Sequence, residues 1–308
     1  MTLEKVPPAT LTARFGGAHE DYAEIGAQHL MMLRTMLPDD WSWQGKRVLD
    51  FGCGAGRTMQ ALAPEAHGAE LWGCDIHREG IEWATEHLSP PMRFLANDEL
   101  PPLDVAGASF DLVYGMSVFT HITDDWAAWA AEIHRILAPG GLGIFTFLGE
   151  GMWKQILGRP WEPERIGMIS TKPGRSWAVG GPDVYTSEWW LREHWGRGFE
   201  VVAVRPATDV DAMAGHGWLV VRRDERACDV EELGRIDPSD PRELASLKLN
   251  VEILSDEGRE LRQELEQSGG NGDAEHARLA DELRVVLGSR SWQLTAPLRR
   301  LGRAARRR

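Results

Sequence analysis

Two acidic residues and three glycines form the pattern in this sequence that is best suited to binding a ligand. The segment VLDFGCGAGRT places Asp50 ahead of three alternating glycines, Gly52, Gly54 and Gly56. Glycine lets the backbone turn tightly and approach a ligand without a Cβ in the way. About 20 residues further on, a second apolar run ends in Asp75, whose carboxylate can accept hydrogen bonds from both hydroxyls of a ribose. The spacing predicts a nucleoside site.

The position of Asp50 indicates the charge of that ligand. An anion directly before the glycines suits a cationic amino-acid group and would repel a pyrophosphate. Glycines alone do not separate the two, because dinucleotide enzymes use a similar turn. Three alternatives therefore stay open: a nucleotide-dependent oxidoreductase, an ordinary strand-to-helix turn, and an Asp75 that only caps the next helix.

Apolar runs and helical patterns alternate from residue 46 onward. Seven runs predict strands, at 47–51, 70–74, 92–96, 110–114, 141–147, 199–204 and 218–222. Helical patterns lie near 58–62, 79–87 and 124–137. This alternation predicts a Rossmann-like α/β fold, a mostly parallel sheet that is covered on both faces and closes with an antiparallel hairpin. The chain divides into a helical N-terminal segment, the α/β domain, and a linker with a helical tail, at 1–44, 45–222 and 223–308.

Four blocks of the sequence resemble the class I S-adenosylmethionine-dependent methyltransferases, in the order and spacing of that family. The blocks are VLDFGCGAG, GCDIHREGIEWA, FDLVYGMSVFTHI and EIHRILAPGGLGIFTF. The resemblance extends from about residue 45 to residue 222. It implies that S-adenosylmethionine is the cofactor of this chain.

The resemblance also implies which residues bind that cofactor. The glycines would pass beneath it, Asp75 would hold the ribose, and Asp50 would hold the amino group directly or through water. Asn97, alone or with Asp98, would lie near the adenine, because the family's acid after the third strand has no clear counterpart here. The implied cofactor-binding set is Asp50, Gly52, Cys53, Gly54, Gly56, Asp75, Ile76, Asn97, Asp98 and Ser117. The cysteine side chains are expected to be small buried spacers.

A histidine follows the fourth predicted strand, at the edge where an open α/β sheet binds its ligands. Methyl transfer from a sulfonium is an in-line displacement, and it needs a base when the acceptor is a hydroxyl. Of the residues in this block, His121 is the one whose type exchanges protons near neutral pH. Ser117, Phe119 and Thr120 lie beside it. Either His121 is the general base, or it caps or packs the following helix.

Residues 149–198 interrupt the alternation of strands and helices, and they hold six of the fourteen tryptophans. Long loops on α/β scaffolds often carry specificity, so we expect this insertion to form a lid over the acceptor. Aromatic faces beside hydrogen-bonding groups suit a sugar, and they suit other small molecules as well. The predicted substrate-binding residues are His121, Glu150, Trp153, Trp190 and His194. The alternative is that most of the tryptophans belong to the core and that His194 is structural.

Charge is distributed unevenly along the chain. The net charge is −13, but residues 290–308 contain seven arginines and no acid, which leaves −20 on residues 1–289. An acidic body predicts that the protein does not bind nucleic acid. The basic terminus predicts either peripheral contact with the anionic inner face of a membrane, or pairing with the acidic body and solvent.

The C-terminal part of the chain carries two further patterns. Apolar residues repeat with alternating spacings of three and four between residues 244 and 265, with a flaw at Gly258. This repeat predicts either a coiled coil, for self-association or for a polysaccharide enzyme, or an amphipathic helix packed on its own domain. The terminal SRSWQLTAPLRRLGR resembles the ends of bacterial enzymes that build surface polysaccharides, especially glycosyltransferases, and this resemblance implies a glycan acceptor.

No secretory signal or membrane-length apolar run is evident, and three scattered cysteines predict neither a disulfide framework nor a zinc site. We therefore expect a cytoplasmic methyltransferase without a metal, acting on a small molecule or glycan. A sugar hydroxyl in polysaccharide biosynthesis is the acceptor we favour. The alternatives are a non-catalytic, methyltransferase-like scaffold that recruits polysaccharide enzymes, and the oxidoreductase.

Overall fold

The computed structural model describes residues 5–13, 18–175, 180–206, 215–267 and 273–295. The strands in it are β1 (Arg47–Phe51), β2 (Glu70–Asp75), β3 (Arg93–Ala96), β4 (Phe110–Gly115), β5 (Leu137–Leu148), β6 (Met168–Thr171), β7 (Asp183–Thr186), β8 (Glu200–Arg205) and β9 (His216–Arg222). The helices are α1 (Ala9–Thr12), α2 (Tyr22–Met36), α3 (Arg57–Leu62), α4 (Arg78–Leu88), α5 (Trp126–Ile136), α6 (Glu150–Leu157), α7 (Glu188–Trp195), α8 (Val230–Leu233), α9 (Pro241–Gln267), α10 (Asp273–Gly288) and α11 (Arg290–Leu294). A short 3₁₀ turn, His19–Asp21, leads into α2.

The sheet confirms the Rossmann-like fold predicted from the sequence. Five parallel strands run in the order β3-β2-β1-β4-β5, and the antiparallel pair β9 and β8 completes that edge. The β5–β9 ladder is continuous from Leu142 opposite Arg222 to Leu148 opposite His216. This pairing brings the beginning of β9 to the carboxyl end of β5, where the carboxyl ends of the parallel strands also lie.

The central strands are apolar on both faces because helices cover both sides of the sheet. Successive residues of β1 alternate between two cores: Leu49 and Phe51 pack with α5 and α7, whereas Val48 packs with α2, α3 and α4. In α2 the residues that become buried recur at helical spacing, at Tyr22, Gly26, Leu30 and Leu33. This face of α2 lies against α3, next to the turn that follows β1.

The insertion at 149–198 differs from the expected strand count, because it adds two strands and makes the sheet nine-stranded. The added pair, β6 and β7, is an antiparallel hairpin, and β7 touches the end of β5 where Leu148 faces Tyr185. The short runs MIST and DVYT do not alternate clearly in the sequence, so their strand character escaped prediction. A third core combines this insertion with the tail, since Trp153, Ile169 and Tyr185 pack with Leu249 and Ile253.

The heptad segment forms α9 and packs on its own domain, as one of the two sequence interpretations expected. Its buried face holds Glu243, Ser246, Asn250 and Ile253, and it lies on β6 and α10. Of the predicted leucine seam, Leu254 and Gly258 lie on this buried face, and the other positions are only half-buried or exposed. Leu244, the first residue of that seam, is 43% exposed.

Two sequence features fall outside the described residues. One is Trp177, which is among the six tryptophans of the insertion. The other is the chain from residue 296 onward, which carries six of the seven terminal arginines. Within the described ranges, no helix combines the length and the apolar character that crossing a bilayer requires.

Candidate functional site

The turn that follows β1 requires glycine at alternate positions. Gly52, Gly54 and Gly56 have φ values of 81°, 56° and 80°, in the left-handed region that side chains rarely adopt. Space adds a second requirement, since a Cβ on Gly52 would lie 2.3 Å from Cγ2 of Val118. The Gly52 amide donates to the Cys74 carbonyl at 2.8 Å. The turn is therefore fixed beside the carboxyl end of β2.

The two cysteines at this turn are buried thiols. Burial raises the pKa of both Cys53 and Cys74 above the usual range of a thiol. The Cys53 sulfur packs against Gly73, where a Cβ would lie only 2.7 Å from it. The side chain of Cys53 thus faces the core, and only its backbone is available to a ligand. This geometry agrees with the spacer interpretation.

Asp75 is held rigidly at the end of β2. Its two carboxylate oxygens accept hydrogen bonds from the amides of Gly54 and His77, each at 2.7 Å. Burial raises the pKa of Asp75, and these two hydrogen bonds act in the opposite direction. The capping side chain of α4 is His77, which accepts from the Gly80 amide at 3.0 Å. Asp75 therefore connects the glycine turn to β2 instead of capping α4 with its own side chain.

Asp50 is a second carboxylate at the same edge of the sheet, and it is only 3% exposed. Burial raises the pKa of Asp50 to about 8. The Tyr114 hydroxyl faces Asp50 and lowers this pKa, although the pair does not reach normal hydrogen-bond geometry. A buried carboxylate costs free energy when it ionises without a cation. The site thus favours a positively charged group next to Asp50.

The residues after β2 and β3 differ in how they are held. The Asn97 amide donates to the Asp75 carbonyl at 3.1 Å, and its side-chain Nδ2 donates to the Asp98 carbonyl at 2.8 Å. Its Oδ1 is buried and has no hydrogen-bond partner among the described residues. The Asp98 side chain is 84% exposed and pairs with Arg78, whereas Ile76 is an apolar residue 36% exposed. Asn97 thus combines a fixed backbone amide with a buried side-chain acceptor.

A second polar cluster surrounds Ser117, just after β4. Ser117 has a φ of 58°, and its amide donates to Oγ1 of Thr146 at 2.7 Å. Its hydroxyl oxygen lies 3.1 Å from Oγ1 of Thr120 and 3.5 Å from Nε2 of His121. On the other side of the imidazole, His121 Nδ1 lies 2.6 Å from the Pro182 carbonyl oxygen.

His216 completes this cluster and was missed by the sequence interpretation. Its Nε2 lies 3.3 Å from the Ser117 hydroxyl. His216 is 99 positions from Ser117 in the chain, and it comes close only because β9 pairs with β5. A long-range strand pairing leaves no local signal in a single sequence, so only the predicted hairpin could have suggested it.

Known proteins resemble the part of the chain that carries these two clusters. Residues 48–141 match the family model of a methyltransferase domain. The matched range contains the glycine turn, Asp75, Asn97 and part of the Ser117 cluster. Thr146, Pro182 and His216 lie outside it.

Curated relatives agree with this match. A malonyl-[acyl-carrier protein] O-methyltransferase of Hahella chejuensis is 32% identical over 125 residues, which cover 41% of this chain and 42% of that protein. A ubiquinone biosynthesis O-methyltransferase of Thiobacillus denitrificans is 31% identical over 137 residues, covering 44% and 56%. The chain thus spans about half the length of the curated relatives it matches.

One solved structure resembles the fold of a larger part of the chain. It is a chain from the complex that contains the Haloferax volcanii Trm112 methyltransferase activator. The TM-score is 0.50 at 20% identity, and the match covers 73% of this chain and 99% of that one. This likeness shows the fold alone.

The insertion at 149–198 corrects three substrate-binding predictions. Trp153, Trp190 and His194 are 1%, 6% and 3% exposed, so they are core residues and not an open acceptor surface. Trp153 donates to the Pro160 carbonyl at 3.0 Å, and Trp190 stacks on His194 at 4.5 Å. Their apolar rings are buried because α6 and α7 use them to cover the sheet. Glu150, on α6, forms an ion pair at 2.5 Å with Lys154, one helical turn further along.

His194 belongs to a buried cluster that attaches the tail to the α/β domain. Its Nε2 lies 2.9 Å from a carboxylate oxygen of Glu243, and its Nδ1 lies 2.8 Å from the Leu233 carbonyl oxygen. Both side chains are almost fully buried. The Glu243 carboxylate of α9 is thus paired with the His194 ring of α7, which confirms the structural alternative for His194.

One cavity lies apart from the glycine turn. It measures about 350 Å³ and lies between the turn at Thr123, strand β6 and helices α9 and α10. Ser170 and Asn250, both buried, line it and are joined by a hydrogen bond of 3.2 Å. In the described ranges, no three His, Cys, Asp or Glu side chains are arranged to hold a metal ion.

Proposed function

We propose that this protein transfers the methyl group of S-adenosylmethionine to a hydroxyl of a small-molecule acceptor, and that the acceptor is a sugar or glycan. One observation carries this proposal. The glycine turn brings together a buried carboxylate, Asp50, and a half-buried one, Asp75, at one edge of the sheet. The match of residues 48–141 to a methyltransferase domain supports it.

The residues at this edge fit each part of the proposed cofactor. Asp75 is already oriented by two amides, and its remaining lone pairs can accept from the ribose hydroxyls. The unpartnered Oδ1 of Asn97 can accept from the amino group of adenine. Asp50 would pair with the cationic amino-acid end. The cofactor itself supplies a methyl group bonded to a positively charged sulfur.

Charge favours this cofactor over a dinucleotide. A pyrophosphate placed at the glycine turn would lie close to Asp50, a carboxylate whose ionisation burial already opposes. A cation at the same place relieves that cost. The oxidoreductase interpretation therefore leaves Asp50 protonated beside the pyrophosphate, with no ionic contact to the ligand.

The Ser117 cluster supplies the acceptor side of the proposal. His121 is held by the Pro182 carbonyl, so its ring is oriented before any acceptor arrives. A hydroxyl acceptor must lose a proton as its oxygen is methylated, and an oriented imidazole can take that proton. The relatives from Hahella chejuensis and Thiobacillus denitrificans are named as O-methyltransferases, which supports an oxygen acceptor.

The glycan acceptor rests on the C-terminal sequence. Residues 289–303 resemble the ends of bacterial surface-polysaccharide enzymes, and the seven terminal arginines suit an anionic membrane face in the cytoplasm. We extend the proposal to a peripheral contact with that membrane face and to a partner enzyme or second copy at residues 244–265, where Leu244 is exposed.

Sedimentation with anionic vesicles tests the membrane contact. Deleting residues 296–308 should abolish sedimentation with anionic vesicles, and unchanged sedimentation would refute the membrane contact.

Transfer of a labelled methyl group tests the proposed reaction. The purified chain is incubated with S-adenosylmethionine carrying a deuterated methyl group and a panel of nucleotide sugars and lipid-linked glycans, followed by mass spectrometry. We expect a labelled product with the chain and none with Asp75→Ala. Asp104→Ala, which changes an exposed carboxylate, is the matched control. Cofactor binding without any labelled product would favour the scaffold interpretation.

A further inference from the structure

The Ser117 hydroxyl is the centre of a hydrogen-bond network whose direction can be worked out atom by atom. Among the residues that the structure describes, three side-chain atoms surround this oxygen: Oγ1 of Thr120, Nε2 of His121 and Nε2 of His216. A serine hydroxyl has one proton to donate and two lone pairs that accept. Three neighbours therefore match its full capacity when one of them accepts and two of them donate.

The Pro182 carbonyl fixes which neighbour accepts. A carbonyl oxygen has no proton, so the 2.6 Å contact to His121 requires the proton on Nδ1 of that ring. In the neutral imidazole Nε2 is then an acceptor, and the proton directed at it belongs to Ser117. The Ser117 oxygen can only accept from its other two neighbours. His216 consequently carries its proton on Nε2, and its Nδ1 holds the lone pair.

From this direction, and on the basis of the methyl transfer proposed above, we propose that Ser117 links His216 and His121 into one proton relay, with His216 as the residue that contacts the acceptor hydroxyl. His216 Nδ1 takes the hydroxyl proton, and the Nε2 proton of His216 moves to the Ser117 oxygen. The Ser117 proton moves to Nε2 of His121. The proton removed from the acceptor is thus stored on His121.

The bonds and charges of this step balance. The acceptor oxygen forms its bond to the methyl carbon as the carbon–sulfur bond breaks, and the sulfur keeps that electron pair. Positive charge leaves the sulfur and is carried on His121. Its Nδ1–H remains hydrogen-bonded to the Pro182 carbonyl, which favours the charged ring.

Two features of the backbone keep the relay in place. Ser117 has a φ of 58°, a conformation that is strained outside glycine and that persists only where surrounding contacts enforce it. The hydrogen bond from its amide to Thr146 is one such contact. His216 is placed by the β5–β9 ladder, opposite Leu148. The relay therefore joins three rigid elements of the fold.

Histidine NMR tests the relay without any acceptor or cofactor. The probe is the full chain labelled with ¹⁵N-histidine, at pH 8, where neutral imidazoles report their tautomer. Resonances are assigned with His121→Gln and His216→Gln. We expect the proton on Nδ1 in His121 and on Nε2 in His216. A proton on Nδ1 of His216 would overturn the proposal.

Variants of the central hydroxyl sharpen this measurement. Ser117→Gly removes the hydroxyl at a φ that glycine tolerates, so folding is preserved, and it should shift the Nε2 resonance of His216, which loses its hydrogen-bond acceptor. Thr120→Val removes a donor to Ser117 outside the relay, and it should leave both tautomers as in the wild type. An unchanged His216 signal in Ser117→Gly would also refute the relay.

Kinetics with the acceptor found by labelled transfer give the second readout. His216→Gln and His121→Gln should each lower kcat about 100-fold or more, because general-base catalysis contributes 10²–10⁴. The double variant should be no slower than the slower single one, since both act in one relay. His67→Gln, at an exposed position, is the control. Normal kcat in His216→Gln would refute its role, whereas failure of S-adenosylhomocysteine to bind the wild type would refute the proposed function instead.

Discussion

The cofactor edge and the acceptor edge of this molecule are built in different ways. The cofactor edge, β1 to β3, uses backbone turns and residues that lie within about 50 positions of one another along an ordinary βαβ unit. The acceptor edge, at β4, β5 and β9, assembles Ser117, Pro182 and His216 from distant parts of the chain. The first is a local property of the sequence, and the second exists only when the sheet and the insertion are complete.

This difference has a consequence for stability. The insertion and α9 share one core and one buried His194–Glu243 pair, so the acceptor side depends on the tail. The glycine turn depends on its own strands and on α2 and α3. Damage to the tail should therefore loosen one edge while the other keeps its ligand.

The buried pair gives the largest expected effect. Glu243→Ala leaves His194 without its carboxylate, and breaking a buried pair costs about 3–5 kcal/mol. Urea unfolding measures this loss. Glu193→Ala, which removes a half-exposed partner 3.3 Å from Arg197, is the matched control and should cost less than about 1 kcal/mol. Equal losses in both variants, or lost affinity for S-adenosylhomocysteine in Glu243→Ala, would break the distinction between the edges.

A substitution in the glycine turn should give the second-largest loss of stability. Gly52→Ala combines a left-handed φ of 81° with a Cβ 2.3 Å from Val118, which together should cost about 2–4 kcal/mol. Gly45→Ala has a φ of 72° but no atom within 4 Å of the new Cβ. It should cost only the conformational part, about 1–2 kcal/mol. Denaturant unfolding of both variants separates the two contributions, and equal costs would contradict the packing requirement.

Proton release tests the charge at the cofactor edge. With a pKa of about 8, Asp50 is mostly protonated at pH 7, and a cationic ligand should ionise it. Affinity for S-adenosylmethionine should thus rise about tenfold per unit between pH 6 and pH 7.5. Calorimetry in buffers of different ionisation enthalpy should detect the released proton. Asp50→Asn should release none, and the same release in that variant would assign the proton to another group.

The Asp50 carboxyl should also make the free energy of unfolding depend on pH, in the direction opposite to the dependence of cofactor affinity. Because the pKa of Asp50 is raised on folding, the folded chain binds this proton more tightly than the unfolded chain. Its contribution to the free energy of unfolding should therefore fall as the pH rises from about 4 to about 8. Asp50→Asn should flatten this part of the pH profile.

The smallest effect concerns the tail. A Cβ on Gly258 would make ordinary contacts with Val286 and Leu283, at 3.7 and 3.8 Å. Gly258→Ala should therefore stabilise α9 by up to about 1 kcal/mol, the difference in helix propensity. Thermal unfolding measures it. A destabilised variant would mean that α10 packs more closely on α9 than these distances allow.

How far the sequence predicted each edge follows from the same difference. The first strand was predicted at its observed bounds, and Asp50 and Asp75 were placed near the ends of neighbouring strands, because these signals are local. His216 was missed because strand pairing brings it to Ser117 from 99 positions away. Apolarity indicated burial of Trp153 and Trp190 but not whether a ligand or the core covers them. The fold was therefore more predictable than the acceptor site.

Calorimetric titration with S-adenosylhomocysteine tests the central claim most directly. The claim is that the glycine turn and its two carboxylates hold the methyl donor. We expect one binding site per wild-type chain. Affinity should be at least about 100-fold weaker in Asp75→Ala, since hydrogen bonds to a charged group contribute about 1.5–3 kcal/mol each. Affinity should be unchanged in Asp104→Ala. No binding to the wild type, or equal affinity in all three proteins, would contradict the account.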